Sequence, residues 1–154
     1  MSVYLYLMRH GKAQANGGDD SQRRLTAEGR ATVGRVAARL LEARIQPDRI
    51  EHSGLVRARE TAEIMSDTLG GTPELVAGLQ PSSDVVAAAR RLITRSETSV
   101  LVVGHLPFMG RLASHLLIGE ADEGLLHFRP GAVASFRNDE GRWTLDWFLA
   151  PSLS

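Results

Sequence analysis

With 154 residues, 43% hydrophobic and 23% charged, the chain has the size and composition of one globular domain, and a single domain over 1–154 is expected. Lys and Arg number 18, as do Asp and Glu, and this zero formal charge argues against a general nucleic-acid or membrane-surface binder. The absence of cysteine excludes disulfides, thiolate catalysis and cysteine–zinc sites.

Ser2 to Met8 is a short apolar run rich in β-branched and aromatic residues and reads as a buried strand. Arg9-His10 interrupt it and no basic leader precedes it, so neither a signal peptide nor a membrane span is expected, and the expected location is the cytoplasm. A polar loop, Gly11 to Arg24, carries Gly17-Gly18-Asp19-Asp20. Thr26 suits an N-cap, with Glu28 in the first turn. Val33, Val36, Ala37, Leu40 and Leu41 then recur at helical spacing until the chain nears Pro47.

Arg49 to Ser53 is the second expected strand, and Arg57 to Leu69 a helix stopped by Gly70-Gly71. A short strand is expected at Leu75 to Ala77, then a helix through Val85, Val86, Ala89 and Leu92 capped by Ser83 or Asp84. Val100 to Val103 is continuously apolar, as a strand covered on both faces should be. Pro107 suits the first turn of a helix running to about Leu117. Ala132 to Phe136 and Trp143 to Phe148 flank Asn138-Asp139-Glu140-Gly141, a hairpin signal. This order predicts an α/β three-layer sandwich: a mainly parallel central sheet, helices on both faces, and an antiparallel hairpin at the C-terminal end.

The chemistry-bearing residues converge by position. In open parallel sheets, ligands bind beyond the carboxyl ends of the strands. Arg9-His10-Gly11 ends the first strand, Arg57 follows the second, and Gly104-His105 ends the Val100–Val103 strand. Two arginines and the helix N-termini beside them suit a phosphoryl dianion. A neutral imidazole can attack phosphorus and hold the group as a phosphoramidate, and a second histidine can donate to the transferring oxygens. Positive charge is nearly all arginine, Lys12 being the only lysine, but codon usage explains such a bias, so only placed arginines count. His52, His115 and His127 lack this company; His115 reads as part of a helix and the other two as structural or peripheral.

At these residues the sequence resembles the histidine phosphatase superfamily (phosphoglycerate mutase-like), and within it the small phosphohistidine phosphatases of the SixA type. Arg9-His10-Gly11 resembles its signature, and Arg23-Arg24-Leu25-Thr26 with Gly29 the R-x-L-T-x-x-G segment that follows. Ser53 to Thr61, SGLVRARET, is similar to the S-P-x-x-R-A-x-x-T stretch, and Gly104-His105-Leu106-Pro107 to the second-histidine motif. The resemblance implies a metal-independent, cofactor-free phosphatase. It implies His10 as nucleophile, Arg9 and Arg57 as phosphate clamps and His105 as the neighbouring phosphate-binding histidine. Arg23, Gly11 and the backbone beyond His105, at Leu106, are implied as further phosphate contacts.

Four departures from the family's pattern stand out. Gly54 stands where proline is usual, which should alter turn stiffness, and Lys12 where the mutase branch has glutamate. Only 44 positions separate Thr61 from His105, leaving little room for the insert that larger relatives carry. Where their leaving-group acid is expected, in Leu75–Pro81, Gly78 takes the place, with Glu74 and Asp84 as the nearby carboxylates. A positioned acid contributes about 10²–10⁴-fold for an alkoxide leaving group, whereas imidazole can leave already protonated. A phosphorylated protein bearing phosphohistidine is therefore the expected partner, with no nucleic acid and no membrane; nothing in the pattern sets an oligomeric state. The alternatives are a general small-molecule phosphomonoesterase or mutase with the same nucleophile, and a noncatalytic phosphate-binding signalling module. No H-E-x-x-H, P-loop or G-x-S-x-G pattern is present to suggest a metalloenzyme, a nucleotide site or a serine hydrolase.

Overall fold

An apolar run of seven residues with no polar face must be covered on both sides, and Val3–Arg9 forms such a strand, β1. The computed structural model describes residues 2–15, 18–94, 99–121 and 124–154; Gly17 of the expected loop lies outside them. A 3-10 turn at Asp20–Gln22 precedes α1 (Ala27–Glu42), capped by Thr26, whose hydroxyl accepts from Gly29 N at 2.9 Å. There follow β2 (Arg49–His52), α2 (Val56–Leu69), β3 (Pro73–Leu75), α3 (Val85–Ile93), β4 (Ser99–Gly104), α4 (Phe108–Ile118), β5 (Val133–Asp139) and β6 (Arg142–Leu149).

The strands form one sheet in the order β3-β2-β4-β1-β5-β6. The first four run parallel, while β5 is antiparallel to β1 and β6 to β5. Side chains alternate across it with the strand period of two. Leu5, Leu7, Val100 and Val102 join α3 and α4 in one core, and Tyr6, Met8, Leu101 and Val103 join α1 and α2 in the other. The expected three-layer sandwich is therefore present, its parallel part continued by the C-terminal hairpin. Each fully buried Leu or Met in these layers contributes roughly 1.5–3 kcal/mol of transfer free energy. Among the described residues no helix is long and apolar enough to cross a membrane.

Three elements differ from the sequence expectation. The third strand lies at Pro73–Leu75, two residues earlier than expected, because β2 offers only Ile50, Glu51 and His52 to pair with it. Its proline opens an edge strand, where the lost N–H is tolerated. Pro107 stands just before α4 instead of inside its first turn. The hairpin turn centres on Glu140 and Gly141, with φ of 54° and 86°, the positive values that a two-residue turn between twisted strands requires. Thr26 and Asp84 cap α1 and α3 as expected, and Gly70 ends α2 with φ of 90°.

Candidate active site

Register places the two histidines. Arg9 pairs with Gly104 across β1 and β4, so His10 and His105 leave adjacent strands at the same level. β2 lies on the other side of β4, with His52 opposite Val103, which brings Ser53 to the same edge. The His10 and His105 rings lie 5.1 Å apart, centroid to centroid, tilted by 49°. They line a cavity of about 310 Å³ together with Arg9, Lys12, Ala13, Arg23, Arg57, Leu106 and Pro130. No carboxylate is among these residues.

His10 is buried, and its Nδ1 donates to the Gly11 carbonyl at 2.7 Å. That bond keeps the proton on Nδ1 and leaves the Nε2 lone pair free. Burial, opposed by the Gly11 bond and reinforced by the charges of Arg57, Arg9 and Arg23, pushes the His10 pKa down to about 4, so the ring is neutral at physiological pH. Gly11 has no room for a side chain: a Cβ would lie 2.7 Å from Val33 Cγ2. Its amide donates to Thr61 Oγ1 at 3.0 Å, and that hydroxyl donates to the Arg57 carbonyl at 2.8 Å, tying the histidine loop to α2. Gly29 serves the same close approach from α1, where a Cβ would overlap the Lys12 carbonyl at 2.2 Å.

His105 is buried, with Nε2 2.5 Å from Ser53 Oγ, a hydrogen bond whose direction follows the ring's tautomer. Its Nδ1 is buried without a partner. Burial first, then the charges of His10 and Arg57, push its pKa down to about 3. The arginines are held alike. Arg9 Nη1 donates to the Phe128 carbonyl at 3.0 Å and Arg57 Nη1 to the Asp20 carbonyl at 3.0 Å, while both Nε groups are buried and unpartnered. Buried donors without acceptors are rare in folded proteins, and these two belong to residues that line the cavity, where a ligand oxygen can serve as acceptor. Arg23 reaches the cavity through the 3-10 turn, with Nε 2.9 Å from Asp20 Oδ1. Leu106 forms part of the rim.

Six of the seven residues singled out in the sequence (Arg9, His10, Arg23, Arg57, His105 and Leu106) line the cavity; Gly11 lies behind His10 with its amide committed to Thr61, so it is not a phosphate donor here. Glu74 pairs with Arg49 at 3.0 Å, and Asp84 caps α3 by accepting from Val86 N and Ala87 N. Neither lines the cavity. The Leu75–Pro81 stretch is engaged elsewhere: Leu79 is in the core, and Gln80 Nε2 donates to the Ser53 carbonyl at 2.8 Å. His52 is buried, its Nδ1 accepting from Gly54 N at 3.1 Å, whereas His115 lies within α4 and His127 is exposed. Gly54 does more than soften its turn. Its φ of 92° is closed to proline, and a Cβ there would meet Leu75 Cδ1 at 2.8 Å.

Sequence reasoning had Ser53 and Thr61 only as the ends of a motif, with no role assigned, and did not single out Asp20. Ser53 ends a parallel strand, so the strand-end rule could have found it; Thr61 lies one helical turn beyond Arg57. Asp20 stands three residues before Arg23, but only the folded loop brings it to Arg57, where Nη2 lies 3.3 Å from its Oδ2.

The fold is phosphoglycerate mutase-like, with two histidines facing each other at adjacent strand ends. The model of the histidine phosphatase superfamily (branch 1) matches residues 5–81, and the chain belongs to that family. Phosphohistidine phosphatase SixA of Escherichia coli (strain K12) is 33% identical over 155 residues, covering 97% of this chain and 94% of the relative. An uncharacterized protein of Picosynechococcus is 32% identical over 142 residues, covering 84% of this chain and 86% of that protein. The structure of the protein histidine phosphatase SixA complexed with tungstate superposes with a TM-score of 0.88 at 32% identity, covering 98% of this chain and 99% of the other.

Proposed function

We propose that the chain is a phosphohistidine phosphatase that acts on a phosphorylated protein in the cytoplasm, with His10 as its covalent nucleophile. The observation that carries this is the state of His10: buried, neutral, with its proton committed to the Gly11 carbonyl and its lone pair among cationic groups, in a cavity that no carboxylate lines among the described residues. Such a ring can attack but cannot itself protonate a leaving group. The likeness to SixA over nearly the whole chain supports the same substrate class.

In the first step His10 Nε2 forms a bond to phosphorus as the bond from phosphorus to the substrate's imidazole nitrogen breaks. The leaving imidazole, protonated on its other nitrogen, departs neutral and needs no acid from the enzyme. The Gly11 carbonyl stabilises the positive charge that develops on the His10 ring. Arg9, Arg57 and Arg23 neutralise the equatorial oxygens, Nε of Arg9 and of Arg57 being the donors that await acceptors. His105 is the further donor, its ring hydrogen-bonded to Ser53. In the second step water attacks phosphorus, inorganic phosphate leaves, and the electron pair returns to Nε2.

The test is phosphate release from a phosphohistidine-bearing protein against release from a simple phosphomonoester, with His10→Ala as control. Preference for phosphohistidine, lost in the variant, is expected. Faster turnover of the monoester would move the chain to the general phosphatase alternative. Phosphate binding without His10-dependent release from either substrate would favour the binding module.

A further inference from the structure

We infer that Asp20 is a positioning residue that gathers Arg23 and Arg57 onto one phosphoryl group by holding both from outside the cavity. Two guanidinium groups from separate elements, one in the loop after β1 and one on α2, repel each other, and the Arg23 charge is among the influences that lower the Arg57 pKa. Convergence on one dianion needs a counter-charge that does not occupy the dianion's place.

Asp20 meets that requirement with four contacts. Its Oδ1 accepts from Arg23 Nε at 2.9 Å and its Oδ2 from Arg57 Nη2 at 3.3 Å. Its backbone carbonyl accepts from Arg57 Nη1 at 3.0 Å and from the Arg23 amide at 3.2 Å. Both arginines line the cavity and Asp20 does not, which separates a clamp from a plug. Arg57 Nε remains buried and without an acceptor, free for a ligand oxygen.

The local sequence builds the clamp. Asp19 Oδ1 accepts from Ser21 N at 3.0 Å and from Ser21 Oγ at 2.8 Å, forming the turn that presents Asp20. Glu60 fixes the following segment to α2: it accepts from Leu25 N at 2.8 Å and from Arg24 Nε at 2.9 Å. The carboxyl of Asp20 is held below the ordinary aspartate range, by Arg57 first and also by Arg23, so the counter-charge persists at neutral pH.

This inference rests on the phosphoryl site proposed above but not on its substrate, so the test uses inorganic phosphate binding, without turnover. Calorimetric titration of the wild type, Asp20→Asn, Arg23→Ala and the double variant closes a cycle. Each single substitution is expected to weaken phosphate by about ten-fold, the scale of a charged hydrogen bond. The double variant should fall clearly short of the product of the two losses, because Arg23 without Asp20 is no longer held to the ligand, while Arg57 keeps its bond to the backbone carbonyl of residue 20. Asp20→Glu should restore part of the affinity, and thermal midpoints should stay together because Asp20 is exposed. Tighter phosphate binding by Asp20→Asn would make the carboxylate a competitor and overturn the proposal. Multiplying losses, about a hundred-fold in the double variant, would also overturn it by making the two residues independent.

Discussion

Two groups of arginines in this molecule have opposite fates. On the sheet between β2 and α3, the fully buried Glu51 carboxylate is met by Arg91 at 2.9 and 3.2 Å and by Arg49 at 3.4 Å. At the strand ends, Arg9 and Arg57 are each anchored to a backbone carbonyl, and Arg57 Nη2 also meets Asp20 Oδ2 at 3.3 Å, but their Nε groups have no acceptor among the described residues. The first group closes on a carboxylate buried within the chain; the second lines a cavity and keeps Nε donors unmatched there. Residue type is the same in both. What separates structure from function is whether the chain supplies the acceptor.

The comparison can be broken at graded strengths. His10→Ala should lower kcat by about 10³-fold or more, since residues that act as a unit fail together; a loss below ten-fold in steady-state assays would remove it from the chemistry. Arg57→Ala should lower kcat/KM by about 10²–10³-fold through loss of transition-state charge stabilisation, with the fold retained by circular dichroism. Arg91→Met should do the reverse. Leaving Glu51 short of a partner should lower stability by about 3 kcal/mol, read as an earlier urea midpoint, while kcat is unchanged.

A titration sharpens the same contrast. His10 has a folded pKa of about 4, below its unfolded value near 6.5. The unfolded chain therefore binds the proton first as pH falls. The His10 contribution to stability is complete above about pH 6.5 and is lost progressively down to about pH 4. Ring resonances followed by NMR should show His10 neutral until about pH 4 in the free protein, moving upward when phosphate offsets the arginine charges; free titration near 6.5 would contradict the burial argument. The smallest effect belongs to His127→Ala, which should change stability by no more than about 0.5 kcal/mol, read as an unchanged urea midpoint, because that ring is exposed.

Much of this was legible in the sequence because the signals were local. The apolar runs of β1 and β4 announced central strands, and the residues just after them had to lie at one edge, which brought Arg9, His10 and His105 together before any coordinates. Thr26 declared one helix start, and the Ser83–Asp84 pair another without saying which of the two caps it. β3 was misplaced because an edge strand of three residues carries little periodicity, and its register is fixed by β2. The substitution at Gly54 was visible as a departure, but its left-handed backbone and its contact with Leu75 arise from tertiary packing. Asp20 stayed hidden for a similar reason: in the sequence it is one acid of a polar loop, and its partner Arg57 lies 37 residues away.

The most direct test of the account is to mix the protein with a phosphohistidine-bearing protein, quench within milliseconds in alkali, and map the phosphoryl group. The account predicts an acid-labile, alkali-stable phosphoryl group on His10 that forms and decays at rates compatible with turnover and is absent in His10→Ala. Turnover with no label on His10, or with label on another residue, would contradict it.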